Sequence, residues 1–145
     1  MPLKLAAGAE AVGVMQALMR DTLNYTSQRK QFGQPLAAFQ ALQHRMADMY
    51  MVLVQAAAAV GACADVLGDS PERRAERVSS AHVMVLRAAR LVGQGAVQLH
   101  GGMGMTDELA VGHGFKRLTV IEQQFGGSAQ HLRRVAGLGW SKLRI

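Results

Sequence analysis

The chain has 145 residues, half of them hydrophobic, with a net charge of +6 and one cysteine. That is enough apolar material for one core without staples, and a lone Cys63 excludes an intramolecular disulfide and a cysteine-ligated zinc site. The composition is weighted to Ala, Leu, Met, Gln and Arg, with three prolines and few aromatics, which favours helix and predicts an all-α protein. Cys63, in "VGACADV", reads as a buried inert thiol in a reducing cytoplasm. The arginines are scattered along helix faces with almost no aromatic residues between them for base stacking, which argues against nucleic acid. The most apolar run, 49–64, contains Gln55 and is bounded by Asp48 and Asp65, short of the roughly 20 residues of a membrane span. The N-terminus lacks the cationic head of a signal peptide.

In chain order, Leu5, Val12, Met15, Leu18, Met19, Leu23 and Tyr25 form one stripe of a first helix, from 3 to about 27. Gly33 and Pro35 then punctuate the chain. From Leu36 to Leu67 apolar residues recur at threes and fours, predicting a long second helix. "GDSPE" (68–72) breaks it, with Ser70 as N-cap and Pro71 in the first helical position, and a third helix is expected from about 72 to 99. After "HGGMGMTDE" a new helix start at Thr106 or Asp107 leads to a shorter helix ending near 118, and a last helix starts near Ser128. The whole reads as a single domain over 1–145, an up-and-down four-helix-type bundle with short extra helices.

Three stretches carry chemical interest. "GGMGMTD" (101–107) lacks the Lys-Ser/Thr of a phosphate loop and follows a helix, so it reads equally as a ligand loop or as a helix C-cap with Gly101 or Gly102 in a left-handed conformation. In "SQRKQFGQPLAAFQALQH" (27–44), Arg29 can clamp a phosphate and Gln40 can hydrogen-bond a ligand; equally, Phe32 can staple the corner and Arg29 cap a helix end. "QQFGGSAQHLRR" (123–134) sets two glycines before a basic helix, a geometry suited to an anion. Ser128, His131 and Glu122 are a triad in residue type only. The five histidines show no i, i+3 or i, i+4 pairing, so no metal is expected.

The ordered set "YTSQRKQFGQPLAAFQALQHRMADM", "AVQLHGGMGMTDE" and "FGGSAQHLRR" resembles the C-terminal helical domain of the acyl-CoA dehydrogenases over essentially the whole chain. "FQALQHRMADMYM" and "LAVGHGFKRL" look most like the small subunits of bacterial two-component enzymes acting on dicarboxyl- or ring-bearing acyl-CoA thioesters. The resemblance implies FAD as cofactor, with Arg29 and Phe32 at its diphosphate and adenine region, Gln40 in contact with it, the loop carrying Gln98, Gly101 and Gly102 receiving the adenosine end from a neighbouring subunit, and Ser128 and Gln130 also touching it. A dimer or dimer of dimers, homo- or hetero-oligomeric, follows from contacts that cross a subunit boundary. Acyl-CoA and an electron-transfer flavoprotein would be partners of the assembled enzyme.

Two departures from the family pattern stand out. The family's N-terminal helical and middle β domains have no counterpart here, which implies a fragment, a truncated product or one piece of a split enzyme. The glutamate that abstracts the α-proton in most members matches Gly126, and its alternative position matches Leu3, so neither carries an acid; the neighbouring Gly127 is equally empty. The chain is therefore expected to be inactive alone. It would act as the FAD-contacting and oligomerising domain of such an enzyme, as a non-catalytic partner subunit, or as a stand-alone helical oligomer.

Overall fold

A computed structural model describes residues 2–105 and 110–140. Among these, five helices carry the fold: α1 (Pro2–Gln28), α2 (Gln40–Gly61), α3 (Pro71–His100), α4 (Ala110–Gln124) and α5 (Ser128–Trp140). The only sheet among the described residues is a two-stranded hairpin, β1 (Lys30–Gln31) and β2 (Gln34–Pro35), between α1 and α2. The expected all-α bundle is what forms.

Helix α3 is the axis, packing against each of the other four helices. Its apolar positions fall at threes and fours, and Val85, Ala89, Val92, Ala96 and Leu99 are buried along one stripe. They meet Met15 and Leu18 of α1, Met49 and Leu53 of α2, and Leu118 and Ile121 of α4 in one core. Thr22 and Thr26 are fully buried within α1, yet neither hydroxyl is orphaned. Each donates to the carbonyl four residues back, Leu18 at 2.7 Å and Thr22 at 2.8 Å, which removes most of the penalty of burying them. The start of α3 follows its sequence signal: Ser70 Oγ accepts from the Arg73 N–H at 3.3 Å, and Pro71 opens the helix.

Three boundaries differ from the sequence expectation. The second helix is shorter than 36–67. Leu36–Ala38 forms a 3-10 turn, Phe39 is extended, and the helix runs only from Gln40 to Gly61 before a second 3-10 turn, Ala64–Val66. Periodicity persists through such turns because 3-10 and α geometry place residues on similar faces over so few positions. Helix α4 continues beyond 118 to Gln124, since Ile121 lies one turn on from Leu118 in the same buried stripe. The expected helix start at Thr106 or Asp107 lies outside the described residues.

By length and composition the segment Gln40–Val66 could cross a membrane, because Leu42 and Met46 extend the apolar run upstream of 49–64. In the bundle it buries Met46, Met49, Leu53 and Ala56 against its neighbours. Its other face leaves Tyr50, Met51 and Val54 exposed.

Candidate functional site

The end of α1 is turned by a two-residue β-hairpin. Lys30 pairs with Pro35 and Gln31 with Gln34, leaving Phe32 and Gly33 as the loop, at φ 54° and 81°. Two successive positive φ values match the turn type that suits the right-handed twist of hairpin strands. Glycine takes this freely; phenylalanine does not. Phe32 nevertheless holds it while 90% exposed, touching Phe39 edge-on with ring centroids 6.2 Å apart. The hairpin turns the backbone of Arg29 back onto the next element, where its carbonyl accepts from the Leu36 N–H at 2.8 Å.

At the same end of the bundle, α3 stops at Gly101, whose φ of 60° and ψ of −141° are glycine-only backbone rather than left-handed helix. The following 3-10 turn, Gly101–Met105, folds back on α3 so closely that a Cβ on Gly104 would lie 2.6 Å from the Val97 carbonyl oxygen. The two reversals face each other across a cleft of about 590 Å³. Arg29, Gln98, Gly101 and Gly102 all line it, so four of the sequence-expected residues, up to 73 positions apart, are brought together. Gln40 and Phe32 are exposed and are not among its lining residues.

Among the further lining residues that sequence reasoning passed over are Arg45, Tyr25 and His100. Tyr25 and His100 stack with ring centroids 4.4 Å apart, and buried His100 donates Nδ1–H to the Ala96 carbonyl at 2.8 Å. Arg45 lies four residues before Met49, on a turn of α2 that faces α3, a position legible only once the pairing of α2 with α3 is known. Two guanidinium groups, a primary amide, open glycine backbone and a flat aromatic stack form a donor set suited to a diphosphate attached to a planar base.

The turn between α4 and α5 lies elsewhere along α3. Ser128 shares a smaller cleft with Leu86, Arg90 and Gln94 of α3 and Glu122 of α4. At 1.5 Å per residue this is about 12 Å along the α3 axis from Gln98. Gly126 has φ 91°, and the Gln130 side-chain amide lies over it in the space a Cβ would need. The Gly127 carbonyl accepts from the Gln130 and His131 N–H groups at 3.0 and 3.3 Å, closing the first turn of α5.

The triad in residue type is not one in space. Glu122 is tied to Arg90 by an ion pair. His131 is 2% exposed, with Nε2 3.0 Å from the Phe125 carbonyl oxygen. Since a carbonyl only accepts, Nε2 carries the proton and Nδ1 is left without a partner. Leu3 is exposed. Neither position expected to be empty of the base, 3 or 126, has an ionisable side chain.

The class of protein that this bundle belongs to follows from comparison. Residues 3–137 match the family model for the acyl-CoA dehydrogenase C-terminal domain, and the chain is a member of that family. The family is FAD-dependent. Acyl-CoA dehydrogenase IpdE2 of Mycobacterium tuberculosis is 34% identical over 132 residues, covering 91% of this chain and 40% of that protein. Among solved structures, butyryl-CoA dehydrogenase from Megasphaera elsdenii superposes with a TM-score of 0.88 at 27% identity, over 94% of this chain and 36% of that one. The ChsE4–ChsE5 complex from Mycobacterium tuberculosis gives 0.89 at 26% identity, over 98% of this chain and 38% of that one. The chain spans about 40% of the length of the two IpdE2 relatives it matches.

Proposed function

We propose that this chain is the FAD-contacting and oligomerising C-terminal bundle of an acyl-CoA dehydrogenase-like flavoprotein and has no dehydrogenase activity by itself. The observation that carries this reading is the cleft where Arg29, Gln98, Gly101 and Gly102 converge although they lie up to 73 positions apart in the chain. Arg29, joined by Arg45, would hold the cofactor diphosphate; Gln98 and the glycine backbone would take the adenosine end. Phe32, exposed at the hairpin tip, and Gln40, at the first turn of α2, would reach the cofactor from the rim. Ser128 and Gln130 would contact a cofactor at the separate α4–α5 turn. Two contact regions spaced along α3 agree with a bundle that touches cofactor on both sides of a subunit boundary.

Bound FAD supplies the electron-accepting chemistry of α,β-dehydrogenation of an acyl-CoA thioester. What this chain's residues do is bind and orient. No carboxylate stands at Gly126 or Leu3 to take a proton from substrate, and Glu122 is held by Arg90. A carboxylate for that step, and the electron-transfer flavoprotein that would reoxidise the cofactor, belong to the assembled enzyme.

The exposed apolar face of α2 supports oligomerisation. Tyr50, Met51 and Val54 lie within about 100° of one another on the helix, flanked by exposed Ala47 and Ala58. Such a contiguous patch is characteristic of a subunit contact. The glycine at 126 favours a second form of the same reading, in which this chain is the partner subunit of a heteromeric dehydrogenase whose other chain owns the base.

The experiment is the visible absorption spectrum of the purified chain after FAD addition and removal of excess, alone and after co-expression with an adjacent dehydrogenase-family chain. Flavin retained by the complex, and lost on Arg29→Gln, is expected. Acyl-CoA-dependent dye reduction by the chain alone would overturn the claim of inactivity. Flavin retention unaffected by Arg29→Gln together with Arg45→Gln would overturn the assignment of the cleft.

A further inference from the structure

A second cleft, of about 670 Å³, opens where the start of α1 meets the end of α2 and the first turns of α3. Its wall is Leu5 and Ala9 of α1, Cys63 and Val66 after α2, and Val78 of α3; its one charged residue is Arg74. The volume falls within the ~300–1,000 Å³ typical of small-molecule sites. None of its residues lines the Arg29 cleft or the cleft at Ser128, so the inference does not depend on the flavin reading.

Arg74 is positioned rather than free to wander. One guanidinium N–H donates to the Leu67 carbonyl at 3.1 Å, which fixes the group at the cleft while four of its five N–H donors remain for other acceptors. An apolar wall with a single fixed cation selects a ligand with the inverse pattern, an apolar tail and one anionic head. We propose that this cleft binds a medium-chain fatty carboxylate, its carboxylate on Arg74 and its alkyl chain along Leu5, Ala9, Cys63 and Val78.

Cys63 gives a built-in reporter. It is 1% exposed, its Sγ–H donates to the Ala59 carbonyl at 3.3 Å, and burial pushes its thiol pKa up. Reaction with a thiol reagent therefore requires the cleft to open, and a ligand lying over the sulfur closes it.

The test follows the rate of Cys63 labelling and the Tm of the purified chain during titration with decanoate, decanol or butyrate, all below micelle-forming concentrations. Decanoate is expected to slow labelling saturably and raise Tm. Decanol, which lacks the charge, should bind about tenfold more weakly or worse, the usual worth of a charge-assisted hydrogen bond. Butyrate, too short to cover the wall, should do neither. Arg74→Gln should reduce decanoate to the affinity of decanol. Ala9→Phe, at an exposed position where folding is not at stake, should block the cleft. Equal protection by decanol and decanoate, unchanged decanoate affinity in Arg74→Gln, or no protection by decanoate at all would each overturn the proposal.

Discussion

The imidazoles of His82 on α3 and His131 on α5 face each other with ring centroids 4.8 Å apart, both buried, with His82 Nε2 and His131 Nδ1 each left without a partner. Burial is the main reason both are harder to protonate than usual. For His82 the nearby His131 and then Lys4 add to it, bringing the pKa down to about 4. For His131 the hydrogen bond to the Phe125 carbonyl opposes the shift, while Lys4 and Arg134 reinforce it. In the folded state both rings are therefore neutral at pH values where the unfolded chain, with histidine near its ordinary pKa of about 6.5, takes up protons. Stability is complete above about pH 6.5 and falls as the pH drops toward 4, by about 3 kcal/mol for His82 alone. Urea unfolding at pH 7.5 and 4.5 should show this loss, and His82→Leu should flatten most of it.

Placing an acid at the α4–α5 turn should not create a base. Gly126→Glu forces a side chain into positive φ and against the Gln130 amide. A destabilisation of about 1–3 kcal/mol is expected, with no dehydrogenase turnover by the chain alone. Adding Gln130→Ala should return part of the stability, which thermal unfolding of the single and double variants will read.

Phe32 should show a stability–function conflict. Its φ of 54° is strained for phenylalanine and its ring is solvent-exposed, so Phe32→Asn, which tolerates this conformation, should leave Tm unchanged or raise stability by up to about 1 kcal/mol. The same change should weaken flavin retention or subunit association in the assembled protein. A variant that loses stability and keeps full flavin retention would contradict the role proposed for this side chain.

The contact between α2 and α3 depends on Gly95. A Cβ there would lie 2.6 Å from Met49 Sδ and 3.2 Å from its Cγ, at a methionine with no exposed surface. Gly95→Ala should be nearly neutral, because the gain of about 0.5–1 kcal/mol in helix propensity offsets a shift of flexible Met49. Gly95→Val should cost about 1–3 kcal/mol through overpacking. Chemical denaturation of the two variants separates these effects.

Much of the bundle was legible because helices are local. The stripes of α1 and α3, the Ser70–Pro71 start and the glycine stop at 101 each express physics within a few residues of chain. Boundaries at 39, 61 and 124 were less legible, since a 3-10 turn preserves apolar spacing and the end of α4 is set by the core that Ile121 enters. Glu122 illustrates the same limit at the site. In the sequence it stands only as a member of a triad in residue type, and it is the packing of α4 on α3 that brings Arg90 to it.

The sequence by itself determined the helical class, the order of the elements and the family, because periodicity, capping chemistry and ordered motifs are properties of neighbouring residues. Only the tertiary structure decided that Arg29, Gln98, Gly101 and Gly102 share one cleft with Arg45 and the Tyr25–His100 stack, that Ser128 stands apart from them, and that His82 meets His131 in the interior. Those are contacts between residues far apart in the chain, and their formation depends on which helix faces bury together around α3, a choice made by the packing of the whole core.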